Sequence, residues 1–269
     1  MGLVDSEFEP VPGDRNFDDF VTRFERNIYD SPKGQIRLQL LLEDLQNSVP
    51  GYGTGGLHIL DAGCGSAMAS SRIAALGHSL VLCDTSAAML DQARARLGAV
   101  ANSRAVFHHL PLQHLGTALN TQFDMVMAHA VLEWLADSRA GFDSLLPLVK
   151  PGGYLSLLVY NRHSLVYRHL IAGNYRRLNN RDVAGFGGTL TPTNPLDPYQ
   201  VEAWIAQAGL TITCQTGMRC FYDYLTPQVK RERTMEEILQ MEARYGRQKP
   251  FLYVARYIHY LCQRPATSC

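Results

Sequence analysis

The sequence predicts an α/β fold, a mostly parallel sheet of seven strands with helices on both faces. Three observations carry this. From His58 onward, short apolar runs alternate with stretches of helical periodicity. The runs are continuously apolar, as in strands buried on both faces, rather than alternating apolar with polar. The first run, Ile59-Leu60-Asp61-Ala62, leads into a glycine turn, Gly63-Cys64-Gly65, that opens a helix.

Taken in order, Asn16 is the expected N-cap of a first helix carrying Phe17, Phe20, Phe24 and Ile28 at helical spacing, with Asp19 in its first turn. Ser31-Pro32 starts a second, with Ile36, Leu40, Leu41 and Leu45 on one face. Pro50 to Gly56 reads as a linker. Strands are predicted over His58–Ala62, Leu80–Asp84, Ala105–His109, Phe123–Ala128, Tyr154–Tyr160, Leu210–Gln215 and Tyr253–Gln263. Helices are predicted near Ala67–Leu76, Ser86–Leu97, Ser138–Val149 and, capped by Asp197-Pro198, through Trp204 to Gly209. Thr226-Pro227 begins another. Residues 161–193 and 217–252 exceed what a minimal sheet needs, and long insertions at strand ends are where a common scaffold acquires its substrate. The expected organisation is a flexible acidic tail (1–14) and a single domain (15–269), divided into a helical lid (15–49), a ligand-binding half (57–160) and the two insertions.

Length and composition exclude several classes. The chain has 269 residues, 46% of them hydrophobic and 19% charged, and no apolar run of the roughly 18 residues that a spanning helix needs. The N-terminus carries Asp5, Glu7, Glu9 and Asp14 with no early Lys or Arg, unlike a signal peptide. A cytoplasmic protein without membrane attachment is expected. Six cysteines without a C-x-x-C pair argue against a zinc site and a disulfide framework. His108-His109 has no metal partner at ligand spacing, so no metal is expected. The zero net charge hides an asymmetry: residues 151–269 hold 14 basic and 8 acidic residues, whereas residues 1–60 hold 5 and 10. An anionic partner or an ordinary solvated surface would each account for it.

Gly63 and Gly65 permit a tight turn whose backbone N–H groups can approach a ligand. Asp84 lies 21 residues after Gly63, at the end of the next strand, where a carboxylate accepts hydrogen bonds from ribose hydroxyls. An adenosine-containing cofactor follows. The sixth motif position is Met68, not the glycine of dinucleotide dehydrogenases. Asp61-Ala62-Gly63-Cys64-Gly65-Ser66-Ala67 instead resembles the D-x-G-x-G-x-G of Rossmann-like class I S-adenosylmethionine-dependent methyltransferases, with Ala67 in place of the last glycine. Phe123-Asp124-Met125-Val126 and Leu148-Val149-Lys150-Pro151-Gly152-Gly153 resemble the fourth strand of that family and the turn before its fifth.

Further stretches narrow the resemblance. Asp14-Arg15-Asn16-Phe17-Asp18-Asp19, Arg26-Asn27-Ile28-Tyr29, Lys33-Gly34-Gln35-Ile36-Arg37, His129-Ala130-Val131-Leu132-Glu133-Trp134 and Gly217-Met218-Arg219-Cys220-Phe221-Tyr222-Asp223-Tyr224 are similar to the bacterial tRNA 5-carboxymethoxyuridine methyltransferases, a likeness running over residues 14–264. That family transfers a methyl group to the carboxylate of a modified wobble uridine in the anticodon loop. The resemblance implies S-adenosyl-L-methionine as cofactor, with Arg37 on its methionine carboxylate, Gly63, Cys64 and Gly65 in the turn, Asp84 on the ribose, Leu112 and Gln113 at the adenine edge and His129 beside the reacting end. From spacing alone Arg37 reads as a surface helix arginine, and only the resemblance reverses that; His129 reads equally as a strand-end histidine; His114 departs from the pattern.

Between Asn161 and Arg181 lie Arg162, Arg168, Arg176, Arg177 and Arg181 with Tyr167 and Tyr175 and no acidic residue until Asp182. Guanidinium groups on phosphates and bases stacked on rings suit a single-stranded RNA loop; a solvated insertion would look similar. A carboxylate, with a pKa of about 4, is already an anionic nucleophile at neutral pH, so no catalytic base is expected. Tyr29, Lys33, Tyr160, Asn161, Arg219 and Tyr222 are candidates for orienting the substrate. The alternatives are a small-molecule methyltransferase and a non-catalytic RNA-binding protein on the same fold.

Overall fold

A computed structural model describes residues 11–18, 31–180 and 191–266. Its seven strands, β1 (His58–Ala62), β2 (Ser79–Asp84), β3 (Ala105–His109), β4 (Phe123–His129), β5 (Val149–Tyr160), β6 (Thr211–Met218) and β7 (Tyr257–Gln263), form one sheet in the order β3-β2-β1-β4-β5-β7-β6. β7 runs antiparallel to both β5 and β6, while the other pairings are parallel. Strand order reverses between β1 and β4, which opens a crevice at their carboxyl ends. The predicted mostly parallel seven-stranded sheet is therefore present.

The sheet is covered by α1 (Pro32–Ser48), α2 (Met68–Ala75), α3 (Ala87–Asn102), the short α4 (Leu115–Ala118), α5 (Ser138–Leu145) and, after the segment described below, α8 (Pro198–Gln207). Ser31 caps α1 by accepting the Gly34 amide. Ile36, Leu40, Leu41 and Leu45 of α1 are buried in one cluster with Met125, Met127, Leu158 and Leu261. α1 is thus a layer of the core rather than a loose cover. The opposite face buries Leu60, Val126, Leu155, Leu157 and Val159 against Phe142 and Leu145 of α5 and Trp204 and Ile205 of α8.

Three strands depart from the sequence reading, the simplest being β6, which runs on to Met218 instead of ending at Gln215. Lys150-Pro151-Gly152-Gly153, expected to be a turn, lies inside β5, where the register against β4 slips between Phe123 and Met125 and Gly152 has φ +77°. The glycines allow a bulge that lets the strand continue. β7 starts at Tyr257 instead of Tyr253 because α11 (Lys249–Leu252) and a turn precede it. The Pro50–Gly56 linker holds a single 3-10 turn, and its Tyr52 is buried.

The first insertion contains α6 (Arg162–Ile171), capped by Asn161, and α7 (Tyr175–Asn179). The second contains α9 (Pro227–Glu232) and α10 (Met235–Gly246), the latter closed by a reciprocal Thr234–Glu237 capping box, before α11. α10 crosses β6 so closely that a Cβ on Gly246 would sit 2.2 Å from the Gly217 carbonyl oxygen. Tyr29, Arg181 and the helix positions Asp19, Phe20, Phe24 and Ile28 lie outside the described residues. Asp14, placed by composition in a flexible tail, is anchored: Oδ1 accepts the Ala136 amide at 2.7 Å and Oδ2 accepts Gln113 Nε2–H at 2.8 Å. Among the described residues no helix is long and apolar enough to cross a membrane.

Candidate active site

The glycine turn after β1 lies against β2. Gly63 and Gly65 have φ of +79° and +52°, and a Cβ on Gly63 would meet Val131 Cγ2 at 2.5 Å. The amides of Gly63 and Cys64 both donate to the Cys83 carbonyl, at 2.9 Å each, and that of Gly65 donates to Asp84 Oδ2 at 2.8 Å. This corrects the sequence-based expectation: the three amides hold the turn to β2, and the glycines serve a ligand through the absence of a side chain. Ala67, where the family motif has glycine, adopts the same left-handed region with φ +57°. The substitution therefore keeps the turn, and Ala67 gives no support to a chain that has lost its cofactor.

A cavity open to solvent lies over this turn and is lined among others by Arg37, Asp84, Leu112, Gln113, His129 and Trp134. Gly63, Cys64 and Gly65 form its floor. Asp84 Oδ1 also accepts the Ser86 amide at 2.9 Å. Burial pushes its carboxyl above the ordinary range, against the opposing pull of the Ser86 and Gly65 amides. Each oxygen keeps a lone pair for a hydroxyl. At the other end, Asp14 ties down Nε2 of Gln113, and Oε1 is left buried without a hydrogen-bond partner. A buried orphan acceptor beside Leu110, Leu112, Met89 and Leu135 suits the amino group of an adenine held in an apolar slot. These features fit an adenosine ligand. Phe17 and Trp134, ring centroids 4.9 Å apart and edge-on, complete this wall beneath the Arg15 guanidinium.

Arg37, from α1, lies over the Tyr257 ring at 5.4 Å and also lines a second, smaller cavity with His129, Gly63 and Cys64. His129 ends β4, and its Nε2 is hydrogen-bonded to Ser156 Oγ at 2.8 Å. Burial above all, with the charge of Arg37 adding to it, pushes its imidazole well below the usual range, so it is neutral. Glu133 is fully buried, and neither carboxylate oxygen has a hydrogen-bond partner. The amides of Glu133 and Tyr160 oppose the effect of burial without reaching hydrogen-bond geometry, and the carboxyl is pushed up to about 8.

A second pole forms where the 217–252 insertion meets α1, the end of β5 and the start of β7. Asp223 Oδ2 accepts Arg219 Nη2 at 2.5 Å and Arg256 Nε at 2.8 Å, and Arg256 Nη1 donates to Tyr160 Oη at 3.0 Å. Burial would raise the Asp223 carboxyl, but the two guanidinium groups hold it at about 2. Lys33 joins this field; burial, with Arg219, Lys230 and Arg256, lowers its ammonium pKa. Lys230 Nζ lies 4.7 Å over Tyr222, and Arg219, at φ +61°, lies 5.7 Å over Tyr257. Four cations around one carboxylate leave the cluster strongly positive. Arg219 Nε is buried there without a partner.

Of the substrate candidates, Lys33, Tyr160, Arg219 and Tyr222 thus come together. Asn161 is a correction. It is fully buried; Nδ2 donates to the carbonyls of Tyr253 and Ala255, and Oδ1 accepts the His163 amide. Its side chain braces the start of α6 and has no free donor for a substrate. Arg162 and Arg176 are exposed on α6 and α7, near the exposed Tyr167 and Tyr175, and Arg177 is half-buried. His114 is exposed and does not line the cavity. Sequence reasoning missed Asp14, Phe17, Trp134 and Glu133 as parts of this region, although two of the quoted motifs contain them.

A methyltransferase-domain family matches residues 60–155. The tRNA 5-carboxymethoxyuridine methyltransferase of Escherichia coli (strain K12) is 39% identical over 256 residues, 95% of this chain and 98% of the relative. The ubiquinone biosynthesis O-methyltransferase of Rhizobium etli is 30% identical, over 67% of this chain and 70% of the relative. Among solved structures, the magnesium protoporphyrin IX methyltransferase of Synechocystis PCC 6803 with bound SAH has a TM-score of 0.62 at 16% identity, covering 92% of this chain and 96% of the other. At that identity the likeness shows the fold alone. The likeness to the ubiquinone enzyme stops at two thirds of the chain, whereas that to the tRNA enzyme spans nearly all of it, and on that ground the chain belongs to the tRNA 5-carboxymethoxyuridine methyltransferase family.

Proposed function

We propose that this protein transfers a methyl group from S-adenosyl-L-methionine to the carboxylate of 5-carboxymethoxyuridine at the tRNA wobble position, giving the methyl ester. The observation that carries the reading is the cationic cluster around Asp223, to which the 217–252 insertion gives Arg219 and Lys230, α1 gives Lys33 and the residue before β7 gives Arg256, all inside the near full-length likeness. A carboxylate substrate is recognised by such a field, and an uncharged small molecule has no use for it.

In this reading Arg37 holds the methionine carboxylate, Asp84 the ribose, Leu112 and Gln113 the adenine, and His129 lies beside the methionine end. The cofactor supplies an electrophilic methyl group on a sulfonium. Because the substrate carboxylate is an anion near neutrality, no residue has to take a proton. The protein's task is to bring two opposite charges together in line and strip water from them. The cluster should hold the carboxylate loosely, since a grip that is tighter before reaction than during it raises the barrier. Asp223 serves that end by drawing on Arg219 and Arg256.

Arg162, Arg176 and Arg177, with Tyr167 and Tyr175, form the proposed surface for the anticodon loop. In the same reading residues 57–160 are the cofactor half, 15–49 its cover, and 161–193 and 217–252 the substrate side of a single domain, working in the cytoplasm on tRNA. The test is mass spectrometry of wobble nucleosides after incubation with cofactor and tRNA that carries the carboxymethoxy group. Methyl ester is expected there and none on unmodified tRNA. Product on unmodified uridine, or none on either, would reject the reading.

A further inference from the structure

Behind His129 the sheet holds a line of buried hydrogen bonds that the transfer step does not use. Asp44 Oδ2 meets His259 Nδ1 at 2.9 Å, His259 Nε2 meets Ser156 Oγ at 2.9 Å, and Ser156 Oγ meets His129 Nε2 at 2.8 Å. Asp44, Ser156 and His259 are all at most 1% exposed. The register explains the line. Thr216 on β6 pairs with His259 on β7, His259 with Leu158 on β5, and Leu158 with His129 on β4. One row therefore crosses four strands, with Ser156 on the same face two residues before Leu158. α1 covers this face and lowers Asp44 into it.

The direction of every bond follows from one end. Asp44 Oδ1 accepts from Arg247 Nη2 at 2.8 Å and from Thr216 Oγ1 at 3.0 Å. Burial would raise its carboxyl, but His259, Arg247 and Thr216 hold it below the usual range, and it is ionised. An ionised carboxylate only accepts, so His259 Nδ1 carries the proton. In an imidazole whose single proton sits on Nδ1 the other nitrogen is an acceptor, and Nε2 of His259 takes the Ser156 hydroxyl. Ser156 Oγ then accepts from His129 Nε2–H. Nδ1, the remaining nitrogen of His129, is a bare lone pair, and it is the polar ring atom that His129 has to offer the cavities it lines.

We propose that Asp44, Ser156 and His259 are positioning residues that fix the tautomer of His129, so that Nδ1 accepts a hydrogen bond from the ammonium group of the cofactor's methionine end while Arg37 takes its carboxylate. This rests on the cofactor reading above. Recognition is divided between a donor-only and an acceptor-only side chain, and the acceptor is set by a carboxylate three hydrogen bonds away. Asp44→Asn reverses the line. Arg247 can only donate, so the amide oxygen must face it and the NH₂ must face His259. His259 then donates from Nε2, Ser156 donates to His129 Nε2, and His129 presents Nδ1–H.

The test uses the full chain labelled with ¹⁵N-histidine, with the His129 resonances assigned by their loss in His129→Gln. Long-range ¹H–¹⁵N spectra of the cofactor-free protein should show the Nε2–H tautomer in the wild type and the Nδ1–H tautomer in Asp44→Asn. Calorimetry then compares S-adenosylhomocysteine with its deamino analogue. The wild type should favour the amine about tenfold or more; Asp44→Asn should lose at least fivefold of that preference, with affinity for the deamino analogue little changed. Ser156→Ala, a smaller change, cuts the line and should also lower the preference, and it decides the matter if Asp44→Asn does not fold. A wild-type Nδ1–H tautomer, a folded Asp44→Asn that keeps Nε2–H, or equal loss for both ligands would overturn the proposal. Failure of the wild type to bind either ligand would remove the cofactor reading, while the tautomer spectra stand independently.

Discussion

Asp84 accepts the amide hydrogen of Gly65 at 2.8 Å, so the carboxylate that ends β2 also holds the glycine turn after β1 in shape. Asp84→Ala should therefore lose affinity for S-adenosylmethionine by about 10- to 100-fold and also lower the melting temperature, each lost charged hydrogen bond contributing roughly 1.5–3 kcal/mol. Asp84→Asn keeps one acceptor and should fall between. Calorimetry and thermal denaturation check this; wild-type binding by Asp84→Asn would remove Asp84 from the site.

The Asp14–Gln113 bond sets which end of the Gln113 amide faces the ligand. S-inosylhomocysteine has a carbonyl where adenine has its amino group, so the wild type should bind it about tenfold or more weakly than S-adenosylhomocysteine. In Asp14→Ala the amide can turn over, and most of that discrimination should vanish. Equal discrimination by both proteins would place adenine elsewhere.

Glu133 has a carboxyl pushed up to about 8 in the folded chain, against about 4.3 when unfolded. Between those values the folded state holds a proton that the unfolded state has released, so stability falls as pH rises through that window. Glu133→Gln should match the wild type near pH 4, gain progressively above it and level off past pH 8, with a plateau of up to about 5 kcal/mol, the full shift at about 1.4 kcal/mol per pH unit. Denaturant melts at several pH values read this directly, and a gain independent of pH would contradict it.

Methyl transfer to an anion needs no proton acceptor. The single-turnover rate on carboxymethoxy-tRNA should be flat from about pH 5.5 to 7. A steep rise with a midpoint inside that range would require the base that the mechanism omits.

Replacing Arg176 and Arg177 together by Ala should weaken tRNA binding and reduce the log–log salt slope by roughly 0.7 to 0.9 for each phosphate that is no longer neutralised. Affinity for S-adenosylmethionine should not change, and the Michaelis constant for tRNA should move more than turnover. An unchanged slope with unimpaired binding would return α6 and α7 to the role of a solvated surface.

The sheet was legible because its strands are continuous apolar runs, and β1 and β3 match their predicted bounds to the residue. Errors fell where a local signal was overruled by pairing, as at Gly152-Gly153, which reads as a turn and is a bulge in β5. Within the site, Asp84 and the glycine turn could be read from spacing, since both belong to one β-turn-α-β unit. Asp14 and Gln113 are 99 residues apart and Asp44 and His259 are 215 apart. No period or spacing links such pairs. Asp44 was further hidden by its position on an apolar helix stripe, where a charged residue reads as a surface neighbour. Glu133 gave no sign because its singular property, a carboxyl without partners, exists only once the chain is folded.

Arg247 follows directly on α10, within the 217–252 insertion, yet its guanidinium ends on Asp44 beneath the sheet. The substrate-reading segment is for that reason not a free cartridge. Anyone grafting the corresponding segment of another methyltransferase onto this scaffold, to redirect it to a new acceptor, would have to import a counter-charge for Asp44 as well. Without one the chimaera would keep its sheet but carry an under-compensated carboxylate in its core, at a cost of roughly 1.5–3 kcal/mol. Retargeting this enzyme by recombination therefore has a boundary condition set by one arginine far from any acceptor.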